Sequence, residues 1–167
     1  MCVQETKWVG SKARDVDGYN LCYSSSERHR NGVGILVDEN LRGQVVEVKR
    51  INDRLISAEL AFEGFTLNVC SVYVPQVGLY GEEKRRFREA LDKVVRGVPS
   101  SEKIVIARDF NGHIGALPVG FDDVHGGFGF GEKNEEGGAA LLDFARSFGL
   151  VVVNSSFPKK EDHLITF

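Results

Sequence analysis

Three short strings set polar groups at the ends of apolar runs, which is where sheet-based sites collect their side chains. They are CVQETKW at the start of the chain, SVYVPQ in its middle and IVIARDFNGHIG beyond. In the first, Glu5 follows the strand-like Met1, Cys2 and Val3. One carboxylate there could hold a hard divalent cation, with water completing the shell, although a solvated glutamate at a strand end is the commoner case. In the third, Asp109 and Asn111 come straight after a β-branched run, and their i, i+2 spacing puts both near one strand edge. An aspartate that accepts a proton from water, beside an asparagine that orients it, suits in-line attack on phosphorus. Both residue types are also common turn formers, so the pair by itself leaves a plain turn open. Tyr73 lies near the end of the run before Pro75. If its strand neighbours that of Asp109, the phenol would share the same edge and could donate to a phosphate oxygen, or it could cap the core with a wet tip.

Such residues need a scaffold, and the chain spells one out. Apolar stretches of strand length occupy residues 19–23, 33–37, 45–48, 54–62 and 65–74. Breaks at Asn31-Gly32 and Glu63-Gly64 fall between them, as antiparallel hairpins require. Over residues 82–96, Phe87, Leu91, Val94 and Val95 recur at helical spacing, with Lys84, Arg85, Arg86 and Arg88 mostly on the other face. The run KIVIA at 103–107 reads as a strand buried on both faces that delivers Asp109 to a loop. After a glycine-rich stretch at 112–131, Leu141, Phe144, Ala145 and Phe148 mark a second helix, which Gly149 ends before a strand at 150–154. Hairpins first and helix–strand crossovers later predict an α/β or α+β layered fold, a mixed sheet with helices outside it, as a single domain over 1–167. Met1 to Gln4 reads as strand interior and Ile165 to Phe167 as a strand just starting, so the expectation is a partial domain, truncated at its C-terminus and at its N-terminus too.

Composition narrows the classes. The chain of 167 residues is 42% hydrophobic and 27% charged, the apolar share of an ordinary globular domain. No window reaches the roughly 18 apolar residues of a membrane helix, and Gln4-Glu5 stands where a signal peptide would be apolar. The default expectation is therefore an intracellular protein without membrane association, the nucleus being one candidate compartment. A net charge of -3 and a pI near 5.8 argue against nucleic-acid binding over a broad basic surface, so any such contact should be local and transient. Cys2, Cys22 and Cys70 lack CxxC spacing and read as buried free thiols.

Taken together, VQET at Val3 to Thr6, VYVP at Val72 to Pro75 and RDFN at Arg108 to Asn111 resemble the signature strings of the endonuclease/exonuclease/phosphatase family. Within it the chain is similar to the endonucleases of LINE-type retrotransposons and the craniofacial development protein 2-like sequences related to them. The strings NGVGILVDENL, NDRLISAEL, DFNGHIG, LLDFARSFGL and VVNSSFPKKEDHLITF carry that resemblance through nearly the whole chain. The resemblance implies a four-layer α/β sandwich of the DNase I-like type and Mg²⁺-dependent phosphodiester hydrolysis of DNA, with Mn²⁺ as a substitute metal. It implies that Glu5 is the metal ligand, that Tyr73 helps hold the scissile phosphate, that Asp109 activates or orients the attacking water and that Asn111 contacts the phosphate. Thr166, in the string ITF, matches a family threonine near the substrate backbone.

The pattern also departs from the family's. The family has an asparagine on its first strand, upstream of the QET string, and an SDH string whose histidine contacts the phosphate; the chain shows neither. Glu161-Asp162-His163 reads EDH but stands in the register of an earlier family strand, so His163 is not expected to replace that histidine. His113 reads as structural, and His29 and His125 as solvated loop imidazoles. Arg108 replaces the glycine before DFN, adding bulk and a positive charge that would favour the ionised Asp109, make it a poorer base and crowd the metal. Three readings follow: a DNA endonuclease, a non-catalytic remnant acting as a binding module, or a phosphoesterase acting on another phosphate ester such as a lipid or inositol phosphate. Missing terminal strands would leave a sheet edge uncovered and invite self-association.

Overall fold

The computed structural model describes residues 1–26, 31–75, 81–109, 113–116, 119–129, 131–133 and 135–158, with only the backbone of Asp109, Glu135 and Glu136. Asn111, Thr166, His29 and His163 lie outside the described residues. The chain divides into two compact units, Met1–Asp109 and Phe110–Phe167.

The first unit holds two four-stranded sheets. Strands β1 (Cys2–Gln4), β2 (Ser11–Val16), β3 (Tyr19–Ser24) and β4 (Val33–Asp38) form one, in the antiparallel order β1-β4-β3-β2. Strands β5 (Val45–Asn52), β6 (Leu55–Phe62), β7 (Phe65–Tyr73) and β8 (Lys103–Asp109) form the other in sequence order. Helix α1 (Gly81–Arg96) makes the crossover that lets β8 run parallel to β7. Alternation explains the layering. Val33, Ile35 and Val37 on β4 and Ile56, Ala58 and Leu60 on β6 repeat every second residue and meet in one core. Burying each of the larger side chains stabilises by about 1.5–3 kcal/mol. Helix α1 buries Phe87, Leu91 and Val95, one stripe at i, i+4 and i+8. Its outer face carries the ion pairs Arg86–Glu82, Arg85–Glu89 and Arg96–Asp92.

The two sheets with their helices bear out the α/β layered class, and the individual strands add corrections. Strand β2, SKARDV, was not foreseen because all six residues are exposed and the segment carries no apolar alternation. It forms because Asp17 (φ 45°) and Gly18 (φ 82°) make a two-residue turn of the type that matches strand twist, with Val16 opposite Tyr19. Strand β8 runs through Asp109, so that residue ends a strand rather than entering a loop. Nor is β8 buried on both faces. Among the described residues it is an edge of its sheet, and Val105 is 51% exposed.

In the second unit, a π-helical turn (Glu135–Ala139) leads into α2 (Ala140–Ser147), and Gly149 at φ 63° ends it as expected. Leu142 and Ala145 pack with Val124. The strand expected at 150–154 does not form. Among the described residues Val152 makes one isolated bridge to His125, and Val153–Ser155 is a 3-10 turn. β-branched residues favour extended backbone, but a strand requires a partner along its length, and here only one residue has it.

All three cysteines are free, with Cys22 and Cys70 buried and Cys2 half-buried. Burial, helped by the nearby Cys2, pushes the Cys70 thiol up to about 12. No helix among the described residues is long and apolar enough to cross a membrane.

Candidate active site

The QET string works by holding two sheets together. Gln4, the last residue of β1, donates from Nε2 to Ser71 Oγ on β7 at 3.1 Å, and Ser71 Oγ donates to the Val3 carbonyl, also at 3.1 Å. Ser71 is fully buried, so this pair is a dry crosslink between layers. It fixes the residues that follow on each strand, Glu5 after Gln4 and Tyr73 after Ser71. The Tyr73 hydroxyl donates to Glu5 Oε1. Three positions that sequence reasoning singled out separately thus stand at one edge, because Tyr73 is also the parallel register partner of Asp109.

Backbone geometry marks the same place. Glu5 (φ 51°) and Lys7 (φ 53°) are both in the left-handed region, which costs a non-glycine residue about 1–3 kcal/mol and persists only where surroundings over-determine it. Those surroundings are visible. The Thr6 and Lys7 amides donate to the carbonyls of Gly32 (3.2 Å) and Asn31 (3.0 Å). Gly32 itself is at φ 99°, and a Cβ there would collide with Thr6 Oγ1. The turn between β5 and β6 docks on this segment, with Gly32 N–H donating to the Asp53 carbonyl at 2.9 Å and Asn31 Nδ2 to Asp53 Oδ2 at 2.9 Å.

Sequence reasoning missed Arg54. It is the second residue of that turn, is 8% exposed, and lays its guanidinium over the Tyr73 ring at 5.2 Å from the centroid. One nitrogen bonds Glu83 of α1 at 3.1 Å, while Nη1 is buried without a hydrogen-bond partner among the described residues. A buried arginine is rare enough to be a signal once burial is known. In the sequence it was one more charge at the mouth of a strand.

Other expectations resolve differently. Arg108 pairs in register with Val72. Neighbouring strand residues alternate faces, so Arg108 lies on the face of the sheet opposite Tyr73, and the crowding of a metal at Glu5 expected of it does not follow. His125 is not solvated. It is 4% exposed, accepts from the Gly127 amide at Nδ1 (3.0 Å), and therefore donates from Nε2 to the Gly115 carbonyl (3.1 Å). Burial here follows from Val124 and Val152 flanking it, which loop composition does not reveal. His113 is exposed.

A divalent cation is tested by the donors present. Among the described residues no three acidic, histidine or cysteine side chains gather into a cage. Glu5 nevertheless offers an exposed carboxylate on a rigid, strained backbone, and Mg²⁺ commonly needs only one or two carboxylates besides water and phosphate oxygens. Glu5 is the described donor that would hold such a cation, with water and phosphate oxygens completing its shell.

No family model matches the chain. Craniofacial development protein 2 of Bos taurus is 29% identical over 166 residues, and that of Tragulus javanicus 28%, each alignment taking in 99% of this chain and 28% of the relative. The chain thus spans little more than a quarter of the length of the curated relatives it matches. Among solved structures, the endonuclease domain of TRAS1, a telomere-specific non-LTR retrotransposon, superposes with a TM-score of 0.52 at 12% identity, over 80% of this chain and 53% of that one. At that identity the likeness speaks for the fold. The chain is thus similar, along almost its whole length, to part of craniofacial development protein 2, and it shares its fold with a retrotransposon endonuclease domain.

Proposed function

We propose that the chain is a metal-dependent endonuclease domain that hydrolyses phosphodiester bonds in DNA. The observation that carries this reading is the meeting of Glu5 and Tyr73, 68 residues apart, beside the register position of Asp109. A carboxylate, a phenol and an aspartate at one sheet edge form a set suited to phosphoryl transfer. Its structural neighbour, the endonuclease domain of a retrotransposon, favours nucleic acid over lipid or inositol phosphate.

In this reading Glu5 holds Mg²⁺, or Mn²⁺ in its place, which supplies charge neutralisation at the phosphoryl oxygens when bound. Tyr73 exchanges its hydrogen bond to Glu5 for one to a non-bridging phosphate oxygen, so the donor is already oriented before substrate arrives. Asp109 accepts a proton from the attacking water as the water oxygen bonds to phosphorus; the bond from phosphorus to the leaving sugar oxygen breaks with its electron pair on that oxygen, which takes a proton from solvent water. The family resemblance implies a phosphate contact for Asn111 and a substrate-backbone contact for Thr166, both outside the described residues. The guanidinium of Arg54 keeps the Tyr73 ring in place.

The test is Mg²⁺-dependent nicking of supercoiled plasmid by the purified chain, with Asp109→Ala and chelator as controls. Nicking that both controls abolish supports the reading. A folded chain that does not nick, yet releases phosphate from an inositol phosphate, moves the substrate. One that does neither favours a non-catalytic binding module.

A further inference from the structure

Two and three residues beyond Glu5 the chain presents a feature that the hydrolytic site does not use. Trp8, the sole tryptophan of the chain, is 42% exposed and stands edge-on to the ring of Tyr23, with centroids 5.3 Å apart and planes 75° apart. Tyr23 itself is buried. The Arg14 guanidinium lies over both rings, 5.8 Å from the centroid of Trp8 and 5.4 Å from that of Tyr23, and donates to the Tyr23 hydroxyl at 3.2 Å. The indole is therefore held by two partners while a large part of it faces water.

If Trp8 served only to cover Tyr23, burial of the indole would be the expected outcome, because aromatic rings carry the largest apolar area of any side chain. The surrounding charge points elsewhere. From Thr6 to Arg14 the chain carries Lys7, Lys12 and Arg14 and no acid, in a protein of net charge -3. Arg50 adds a fourth cation from β5, donating to the carbonyls of Tyr23 and Lys12 at 3.3 Å each. The nearest acid along β2, Asp15, is paired with Arg42 at 3.0 Å. An exposed, immobilised aromatic ring in a local basic patch is the equipment with which proteins stack an unpaired base while attracting its phosphates.

We infer that Trp8, braced by Arg14 and Tyr23, is a stacking platform for an unpaired nucleobase of the DNA strand that enters the site at Glu5. This rests on the nucleic-acid substrate proposed above and adds to it a place on the protein where the strand is gripped. Lys7 and Lys12 take the flanking phosphates. Stacking is indifferent to base identity, so the platform positions a strand without reading its sequence.

The sole tryptophan makes its own reporter. In chelator, where no cleavage occurs, a short single-stranded oligonucleotide is titrated into the full chain while Trp8 emission is followed. An abasic oligonucleotide of equal length serves as the charge-matched control. The expected result is saturable quenching by the base-bearing strand and not by the abasic one. Trp8→Ala should weaken binding about tenfold by anisotropy of a labelled strand, with Trp8→Phe restoring most of it. Arg14→Met should weaken binding and flatten its salt dependence, and it supplies the same test should Trp8→Ala fail to fold. Binding with unchanged emission, or equal affinity in Trp8→Ala, overturns the platform. So does an emission shift that depends on protein concentration alone, which would mean that a second copy covers the indole. Plasmid nicking without quenching would sink the platform and leave the nuclease reading standing, whereas quenching without nicking would do the reverse.

Discussion

In the unit Met1–Asp109, Glu5 and Tyr73 meet across 68 residues of chain, between strands of two different sheets, and leave the Glu5 carboxylate exposed. In the unit Phe110–Phe167, a polar residue is turned inward. His125 is buried and spends both ring nitrogens on the backbone of Gly115 and Gly127. The contrast is between polar groups held open for an incoming ligand and a polar group consumed in tying loops together. Both are ordered by hydrogen bonds. The first leaves a carboxylate exposed beside strained backbone, and it is this feature that the proposed hydrolytic reading uses.

The comparison breaks if a change in one unit has the effect expected of the other. The largest effect belongs to Glu5→Gln, which should lower nicking by at least about a hundredfold, the usual loss when one charge-stabilising group is removed, while the thermal melting midpoint stays close to that of the parent. A mutant that nicks normally would remove Glu5 from the chemistry. Next comes His125→Ala. It abandons two hydrogen bonds in a buried place and should destabilise by about 1–3 kcal/mol in urea unfolding, with the nicking rate of the folded fraction unchanged. A folded His125→Ala chain without activity would make that imidazole catalytic and erase the distinction.

The smallest effect sharpens the comparison by pH. Asp123 accepts from Arg146 Nε at 2.8 Å, and this hydrogen bond holds its carboxyl below the ordinary aspartate range. A depressed folded value means stability that is present above the unfolded aspartate range and lost as pH falls through the folded one. Asp123→Asn should therefore flatten the acid limb of the stability curve, slightly, because the pair is exposed and screened. An acid limb identical in the mutant and the parent would show that this ion pair contributes nothing to the unit.

Much of this could be read from residue order. The hairpin at Glu63-Gly64 needed only a turn dipeptide between apolar runs, and α1 only the spacing of Phe87, Leu91 and Val95, because these are local rules. Strand β2 was missed, because an exposed polar strand carries no alternation to mark it, even beside the Asp17-Gly18 turn. The run at 150–154 misled for the opposite reason: its residues favour extension, and no strand among the described residues pairs along it. Arg54 and His125 were opaque, since burial of a polar side chain is a property of its neighbours in space.

Types of residue, their order and the three strings were determined by the sequence alone, and with them the family resemblance and the candidates Glu5, Tyr73 and Asp109. That a phenol donates to a carboxylate 68 residues away, that Gln4 locks β1 to β7 through Ser71, and that Arg54 lies on the Tyr73 ring were decided only by the packing of two sheets. The physical reason is range. Propensity and periodicity act within a few residues, whereas a hydrogen bond or a stacked cation forms between whatever side chains a shared core brings within about 3 to 6 Å.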